Sequence, residues 1–456
     1  MVTSALVVAA ARTADPVAAR SQMGFSLGWH IVVASLGVGM PMLVLFAEWR
    51  GHRTGDVFYQ LLARRWARAL GVLFAVGAVS GTIVSFEMGV LWSGLMDRYG
   101  AVIGLPFAIE GFAFFIEAIF LGIYLYGWDR LPPRAHLLSG VPIVASGIAS
   151  AFFVVCANAW MNDPRGFAIR HGRLTGVDPW AAMFNPATGP ETTHMILSAF
   201  LITGFAMASV YAVAMLRGRR DRYHRLGLLI PLTFAAAVTP AQIGVGDWAA
   251  RFVAASQPVK LAAMEGLVRT QAHAPEAVGG LFYGGRLHGA LKIPDGLSLL
   301  VHLNPAGRVT GLSSVPAADR PPVAIVHFAF DTMVGIGFAL LALGAWLAWS
   351  WWRRRAVPGS RWFLRAVAAS GAAAAVATEA GWVTTEVGRQ PWIVYGVLRV
   401  SRAVNPAPGL AQGVWPVIAV YAVLTVATVY VLRRLARSAP VPAAPQESDV
   451  RASVVA

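Results

Sequence analysis

The chain has 456 residues, of which 57% are hydrophobic and only 13% charged, with a formal net charge of +15. A soluble domain carries about 25% charged residues because it must cover its surface with polar groups, so this composition excludes an ordinary soluble all-α enzyme. A single cysteine, Cys156, lies inside an apolar run. It excludes a disulfide framework, a cysteine-based zinc site and an iron–sulfur site, and reads as a small buried hydrophobe.

The apolar stretch Ala5 to Ala11 is short and lacks a basic flank, which argues against a cleaved signal peptide. A helix needs about 20 mostly apolar residues to cross a bilayer. Nine such segments follow in chain order: roughly 24–47, 69–92, 104–127, 138–160, 193–216, 226–246, 322–352, 361–385 and 412–434. The expected fold is an all-α integral membrane protein over 1–437, followed by a disordered cytoplasmic tail over 438–456.

The positive charge sits in short clusters between the spans, which argues against a nucleic-acid partner. Arg50, Arg53, Arg64, Arg65 and Arg68 follow the first span. Arg130 and Arg134 follow the third, Arg217, Arg219, Arg220, Arg222 and Arg225 the fifth, Arg353, Arg354, Arg355 and Arg361 the seventh, and Arg433, Arg434 and Arg437 the ninth. These are alternate connections, and arginine-rich short loops stay cytoplasmic. The N-terminus is therefore expected outside and the C-terminus inside. The longest connection, 247–321, lies outside and holds both lysines of the chain, Lys260 and Lys292.

Ionisable groups inside a bilayer cost about 2.5–3.5 kcal/mol each, so they are functional candidates by default. They are His30, Glu87, Glu110, Glu117, His194, Asp331, Glu379 and Glu386. Glu110 and Glu117 are seven residues apart, two turns of helix, and share a face amid aromatic and aliphatic neighbours. They read either as a metal ligand with a proton acceptor or as helix-packing carboxyls. His30 and His194 lack zinc-like spacing and suit haem, which needs one or two axial ligands; the other reading is a hydrogen bond between helices. Met333 is a core residue unless a histidine needs it as partner. No histidine cluster implies copper. Glu386 lies in Trp382-Val-Thr-Thr-Glu-Val-Gly-Arg-Gln-Pro-Trp392, where Arg389 offers a bidentate fork to a carboxylate.

These residues carry a resemblance. Gly388-Arg-Gln-Pro-Trp392 with Glu386, Pro106-Phe-Ala-Ile-Glu-Gly-Phe-Ala-Phe-Phe-Ile-Glu117 running on to Gly127-Trp-Asp-Arg130, and Ala157-Asn-Ala-Trp-Met-Asn-Asp-Pro164 resemble the large subunit of cytochrome bd quinol oxidases. Gly28-Trp-His30, Asn185-Pro186 with His194, and Lys260-Leu-Ala-Ala-Met-Glu265 add weaker matches in the same order.

The resemblance implies a low-spin haem b, a high-spin haem b and a haem d, or a b-type haem in its place. It implies His194 and Met333 as low-spin ligands, His30 and Glu386 as ligands of the high-spin pair, and Glu110 beside that pair, with Arg389 and Trp382 at the same cofactors. Glu117 would start a proton path, and Lys260 and Glu265 would bind quinol in the external loop. The implied activity is a cell-membrane terminal oxidase that oxidises quinol outside and reduces oxygen to water with cytoplasmic protons. It would work with a second membrane subunit, a small single-span subunit being a further candidate partner.

Two departures stand out. The family often has Arg two residues before the ligand Met, where this chain has Asp331, leaving the low-spin haem potential open. The external loop is short, like that of the short-loop branch, so cyanide response stays open. A proton-coupled transporter would use the same carboxylates, but it would usually show broken helices in matched halves, and none is visible. A haem-deficient paralogue is disfavoured because every ligand candidate is present.

Overall fold

The computed structural model describes residues 15–437. The apolar stretch at 5–11 and the expected tail over 438–456 lie outside the described residues. Within them nine helices are long and apolar enough to cross a membrane, as the hydropathy pattern predicts.

In chain order the long helices are α1 (Pro16–Thr54), α2 (Val57–Leu91) and α3 (Ser93–Gly127). The short α4 (Pro133–Ser139) leads into α5 (Val141–Asn162). A two-stranded piece, β1 (Ala168–Arg170) with β2 (Arg173–Thr175), and α6 (Pro179–Met183) come next. Then follow α7 (Thr188–Leu216), α8 (Arg222–Ser256) and the short α9 (Pro258–Met264). Beyond the external loop come α11 (Val323–Arg354), α12 (Arg361–Gly388), the pair β7 (Trp392–Val394) and β8 (Leu398–Arg399), and α13 (Leu410–Arg437).

The helices outrun the apolar segments. Asp15, Asp56, Asp221 and Ser360 accept backbone N–H groups of the first turns, so several helices start on polar caps well before the apolar run. Arg50 and Arg53 fall in the last turns of α1, and Arg64, Arg65 and Arg68 in the first turns of α2, so these arginines project from helices rather than from a loop.

The innermost span is α7, which packs on α8, α12, α1 and α5, whereas α13 is the least buried. Small residues permit the close crossings that drive association in lipid. A Cβ on Gly39 of α1 would lie 2.4 Å from the Thr203 hydroxyl of α7, and one on Gly204 would lie 2.7 Å from the Ala235 methyl of α8.

The external loop is more ordered than its Gly- and Pro-rich sequence suggests. β3 (Glu276–Val278) pairs with β6 (Leu291–Ile293), and β4 (Leu281–Tyr283) pairs with β5 (Arg286–His288), nested as one long hairpin. Its tip is Gly284-Gly285, both at positive φ, as a tight two-residue turn requires. The short α10 (Gly296–His302) closes the loop before the chain re-enters the bundle.

Candidate functional site

At the end of the bundle opposite the arginines, four helices converge on Asn162, the last residue of α5. Its Oδ1 accepts from Lys260 Nζ of α9 at 3.0 Å, from Gln257 Nε2 at 3.2 Å and from Arg389 Nη1 at 3.4 Å. Its amide donates to Asn158 Oδ1 at 3.0 Å and to Glu191 Oε1 of α7 at 2.8 Å. Glu386 accepts from Asn158 Nδ2 at 2.5 Å and from Arg389 Nη2 at 2.6 Å. Arg389 is 1% exposed, and its Nε has no partner. Lys260 is 3% exposed, so it is not an ordinary solvated loop charge. Burial pushes its ammonium down to about 7, with the Glu191 carboxylate opposing. A cavity of about 210 Å³ adjoins this cluster, lined by Lys260, Gln390, Trp392 and Tyr395 among others.

The haem-ligand candidates lie in the same half of the bundle. His30 is fourteen residues past the start of α1, deeper than its apolar run implied. Its Nδ1 faces Ser80 Oγ of α2 at 2.8 Å, and Ser80 in turn donates to the Gly77 carbonyl at 3.0 Å. That arrangement fixes the ring through Nδ1 and leaves Nε2 as the nitrogen free to ligate. His194 on α7 meets Gln242 Nε2 of α8 at 3.1 Å, with Gly246 opposite its Nε2. Met333 on α11 seats its Sδ in the notch left by Gly381 of α12. One turn back along α12, Thr378 bonds Ser198 of α7 at 2.8 Å. The turn of α7 after His194 and Met333 of α11 therefore meet the same stretch of α12, at Thr378 and Gly381. Gly24 and Gly28 of α1 receive Trp382, and Gly28 also receives Glu379, whose Oε1 is an unpartnered buried atom.

This donor set fits haem. Among the described residues no three His, Cys, Asp or Glu side chains converge to hold a bare metal ion. Single imidazole, thioether and carboxylate donors, each beside a glycine notch or an unpaired polar atom, suit iron already held in a macrocycle.

The external loop is fastened to α11. His327, 1% exposed, has Nδ1 2.6 Å from the Met264 carbonyl and Nε2 3.1 Å from the Gly279 carbonyl. Asp331 accepts the Gly279 N–H at 2.8 Å and lies 3.4 Å from His327. So Asp331, where an Arg is common, points into the loop as an anchor. Glu265 is 4% exposed, and its Oε2 is unpartnered, as is Glu276 Oε2. Burial first, and Glu276 second, lift the Glu265 carboxyl well above the usual carboxylate range. Burial, with Asp331 adding to it, lifts Glu276 to about 7. Beneath the hairpin lies an apolar cavity of about 650 Å³, lined by Leu281, Phe282, His327, Phe328 and Glu379 among others.

Glu110 and Glu117 face α5, as their spacing predicts. Their surroundings are not wholly apolar, because Ser150 donates to Glu110 at 2.8 Å. Glu117 lies against Gly147. Glu87 of α2 accepts from Ser26 at 2.9 Å and from Gln22 at 3.3 Å. The site residues thus fall into separate groups: Lys260, Arg389 and Glu386 together, Glu265 with Glu276 and Asp331, and Glu110 with Glu117. Sequence reasoning missed Glu191, Asn162 and His327 as members. Asn162 was visible only as part of a motif, and Glu191 reads as an ordinary first-turn acid.

Comparison with known proteins shows what the chain as a whole is similar to. The family model described as cytochrome bd terminal oxidase subunit I matches residues 18–440. The cytochrome bd ubiquinol oxidase subunit 1 of Bacillus subtilis (strain 168) is 31% identical over 410 residues, 86% of each chain. A second Bacillus subtilis protein of the same subunit class is 37% identical over 436 residues, 94% of this chain and 98% of that one. The solved bd oxidase of Geobacillus thermodenitrificans superposes with a TM-score of 0.87 at 39% identity, covering 94% of this chain and all of that one.

Proposed function

The chain belongs to the cytochrome bd terminal oxidase subunit I family, the haem-bearing quinol oxidases of respiratory chains, and from that premise we propose how its own residues serve the reaction. It is a multi-pass membrane subunit that works with a second subunit of the oxidase. In our reading it sits in the cell membrane with the arginine-bearing end in the cytoplasm, so the external loop and its cavities face outward.

Quinol enters the apolar cavity under the hairpin from the bilayer side. The observation that carries this assignment is the buried, unpartnered Glu265 carboxyl, next in the chain to Met264, whose carbonyl meets His327 in the wall of the large apolar cavity. Oxidising a quinol releases two protons, so the site needs a base that holds a proton near neutrality and can pass it outward. Glu265 takes the first proton at Oε2, and Glu276, lifted to about 7, relays it towards the loop surface. His327 and Asp331 keep the loop seated on α11 while this happens. Lys260 belongs to the other group, beside the smaller cavity, where its buried ammonium donates to Asn162 and helps to hold Arg389 and Glu386 in place.

His194 and Met333 would hold a low-spin haem b, and His30 and Glu386 the high-spin pair, a haem b and a haem d or a second b-type haem. Bound there, these groups would supply one-electron transfer and the reduction of oxygen. Arg389 would pair with a propionate through its unpartnered Nε, and Trp382, seated in the α1 notch, would pack against the same group. Glu117 receives protons from the cytoplasm and hands them to Glu110. A reduced-minus-oxidised spectrum of the purified complex tests this reading: b-type bands are expected, with a far-red chlorin band if haem d is present. A flat spectrum after expression with ample haem would sink it.

A further inference from the structure

At the arginine-bearing end, a buried cluster ties α1, α3 and α4 together, and nothing above uses it. Glu48, near the end of α1, is fully buried. Its Oε2 accepts the Tyr124 hydroxyl at 2.5 Å, and its Oε1 lies 2.7 Å from His136 Nδ1 and 3.4 Å from His52 Nε2. His136 Nε2 lies 2.9 Å from the Tyr124 carbonyl, and the ring packs between Tyr124 and Trp128 with centroids 4.3 Å from each. A carbonyl oxygen only accepts, so Nε2 carries a hydrogen. The other hydrogen of the pair sits between Oε1 and Nδ1, where either atom can hold it. His52 has 37% of its side chain exposed and connects this pair to water. Asp129, ion-paired with Arg64 at 2.7 Å, is the further charged neighbour of His136.

The cluster is in line with the known carboxylates. Tyr124 is seven residues beyond Glu117, which is seven beyond Glu110, so all three share one face of α3. The opposing residues run antiparallel along one seam. A Cβ on Gly140, just before α5, would lie 3.2 Å from the Tyr124 ring, one on Gly147 3.4 Å from the Glu117 carboxylate, and Ser150 bonds Glu110. The interval between Tyr124 and Glu117 is about 10 Å along the helix, a distance that two or three waters span.

We propose that Glu48, with His52, His136 and Tyr124, is the mouth through which protons reach Glu117. The proposal deepens the function above and rests on Glu117 drawing protons from this end. His52 takes a proton from water and passes its Nε2 hydrogen to Glu48 Oε1, returning to neutral imidazole. The carboxylic acid group then rotates about its Cγ–Cδ bond so that this hydrogen faces Tyr124, gives it to the Tyr124 oxygen as the tyrosine's own hydrogen leaves towards Glu117, and returns as the carboxylate. One proton enters, one leaves, and no electrons move.

The test uses the assembled oxidase in proteoliposomes, comparing wild type with Glu48→Gln and Glu48→Asp. Glu48→Gln is expected to keep the haem spectrum and the anaerobic rate of haem reduction by quinol. Its oxygen-consuming turnover and its single-turnover proton uptake should both fall by about tenfold or more, with a larger solvent isotope effect. Glu48→Asp should recover most of the uptake. Wild-type uptake in Glu48→Gln overturns this entry route alone. Wild-type complex that consumes no oxygen with quinol overturns the oxidase reading and the route with it. If Glu48→Gln fails to assemble, Tyr124→Phe decides, since it removes only the hydroxyl: slowed uptake supports the route and unchanged uptake overturns it.

Discussion

The two buried polar clusters at opposite ends of the bundle are built on different terms. Around Asn162, at the end we propose to be the outer one, opposite charges crowd together yet leave Arg389 Nε and Gln257 Oε1 without partners, and the adjoining loop leaves Glu265 Oε2 and Glu276 Oε2 bare. Around Glu48 at the inner end, both carboxylate oxygens and both nitrogens of His136 are engaged. A buried unpaired polar atom costs about 1–3 kcal/mol, so it persists where something else repays it. The outer end therefore reads as a place that receives ligands. The inner end closes on itself and needs only to redistribute hydrogens.

The largest effect should come from removing an outer donor with no substitute nearby. His194→Ala is expected to abolish the low-spin b bands of the reduced spectrum while leaving the high-spin bands. Loss of all bands together would show that His194 supports the fold rather than one haem. A smaller effect is expected from Glu265→Gln, which keeps volume and removes the base. Quinol oxidation should slow by about 10²-fold with haem content intact. Loss of haem instead would mean that the bare Oε2 is a packing feature and would erase the contrast with Glu48.

The smallest effect concerns stability. Burial lowers Lys260 from 10.5 to about 7 in the folded chain. Between those values the unfolded chain holds the extra proton, so this group makes stability rise with pH across that window. Lys260→Met should flatten the gain in Tm of the complex between pH 7 and pH 9. An unchanged slope would place the charge in contact with water and end its role in the outer cluster.

Much of this was legible in the chain. The nine spans were visible because an apolar run is a local property. Glu110 and Glu117 share a face because helical periodicity is local too. Lys260 and Glu265 were found by motif, but their burial was not, because the connection 247–321 reads as solvated loop and the nested hairpin is built from three-residue strands. The Gly-Gly tip at 284–285 was its one clear signal. Glu48 went unseen because its apolar run ends at about 47, so it read as a polar flank, and His136 followed Pro132-Pro133 as loop.

What the sequence by itself determined is the number of spans, the gathering of the arginines in alternate connections and the short set of candidate iron ligands. Hydropathy, charge and donor chemistry belong to each residue wherever it lands. What only the tertiary structure decided is which charges lose their water and beside whom. Glu191, Lys260 and Arg389 come from three distant segments and meet on Asn162, and Glu48 meets His136 across three helices. Desolvation and pairing depend on how helices pack, and no local pattern encodes that.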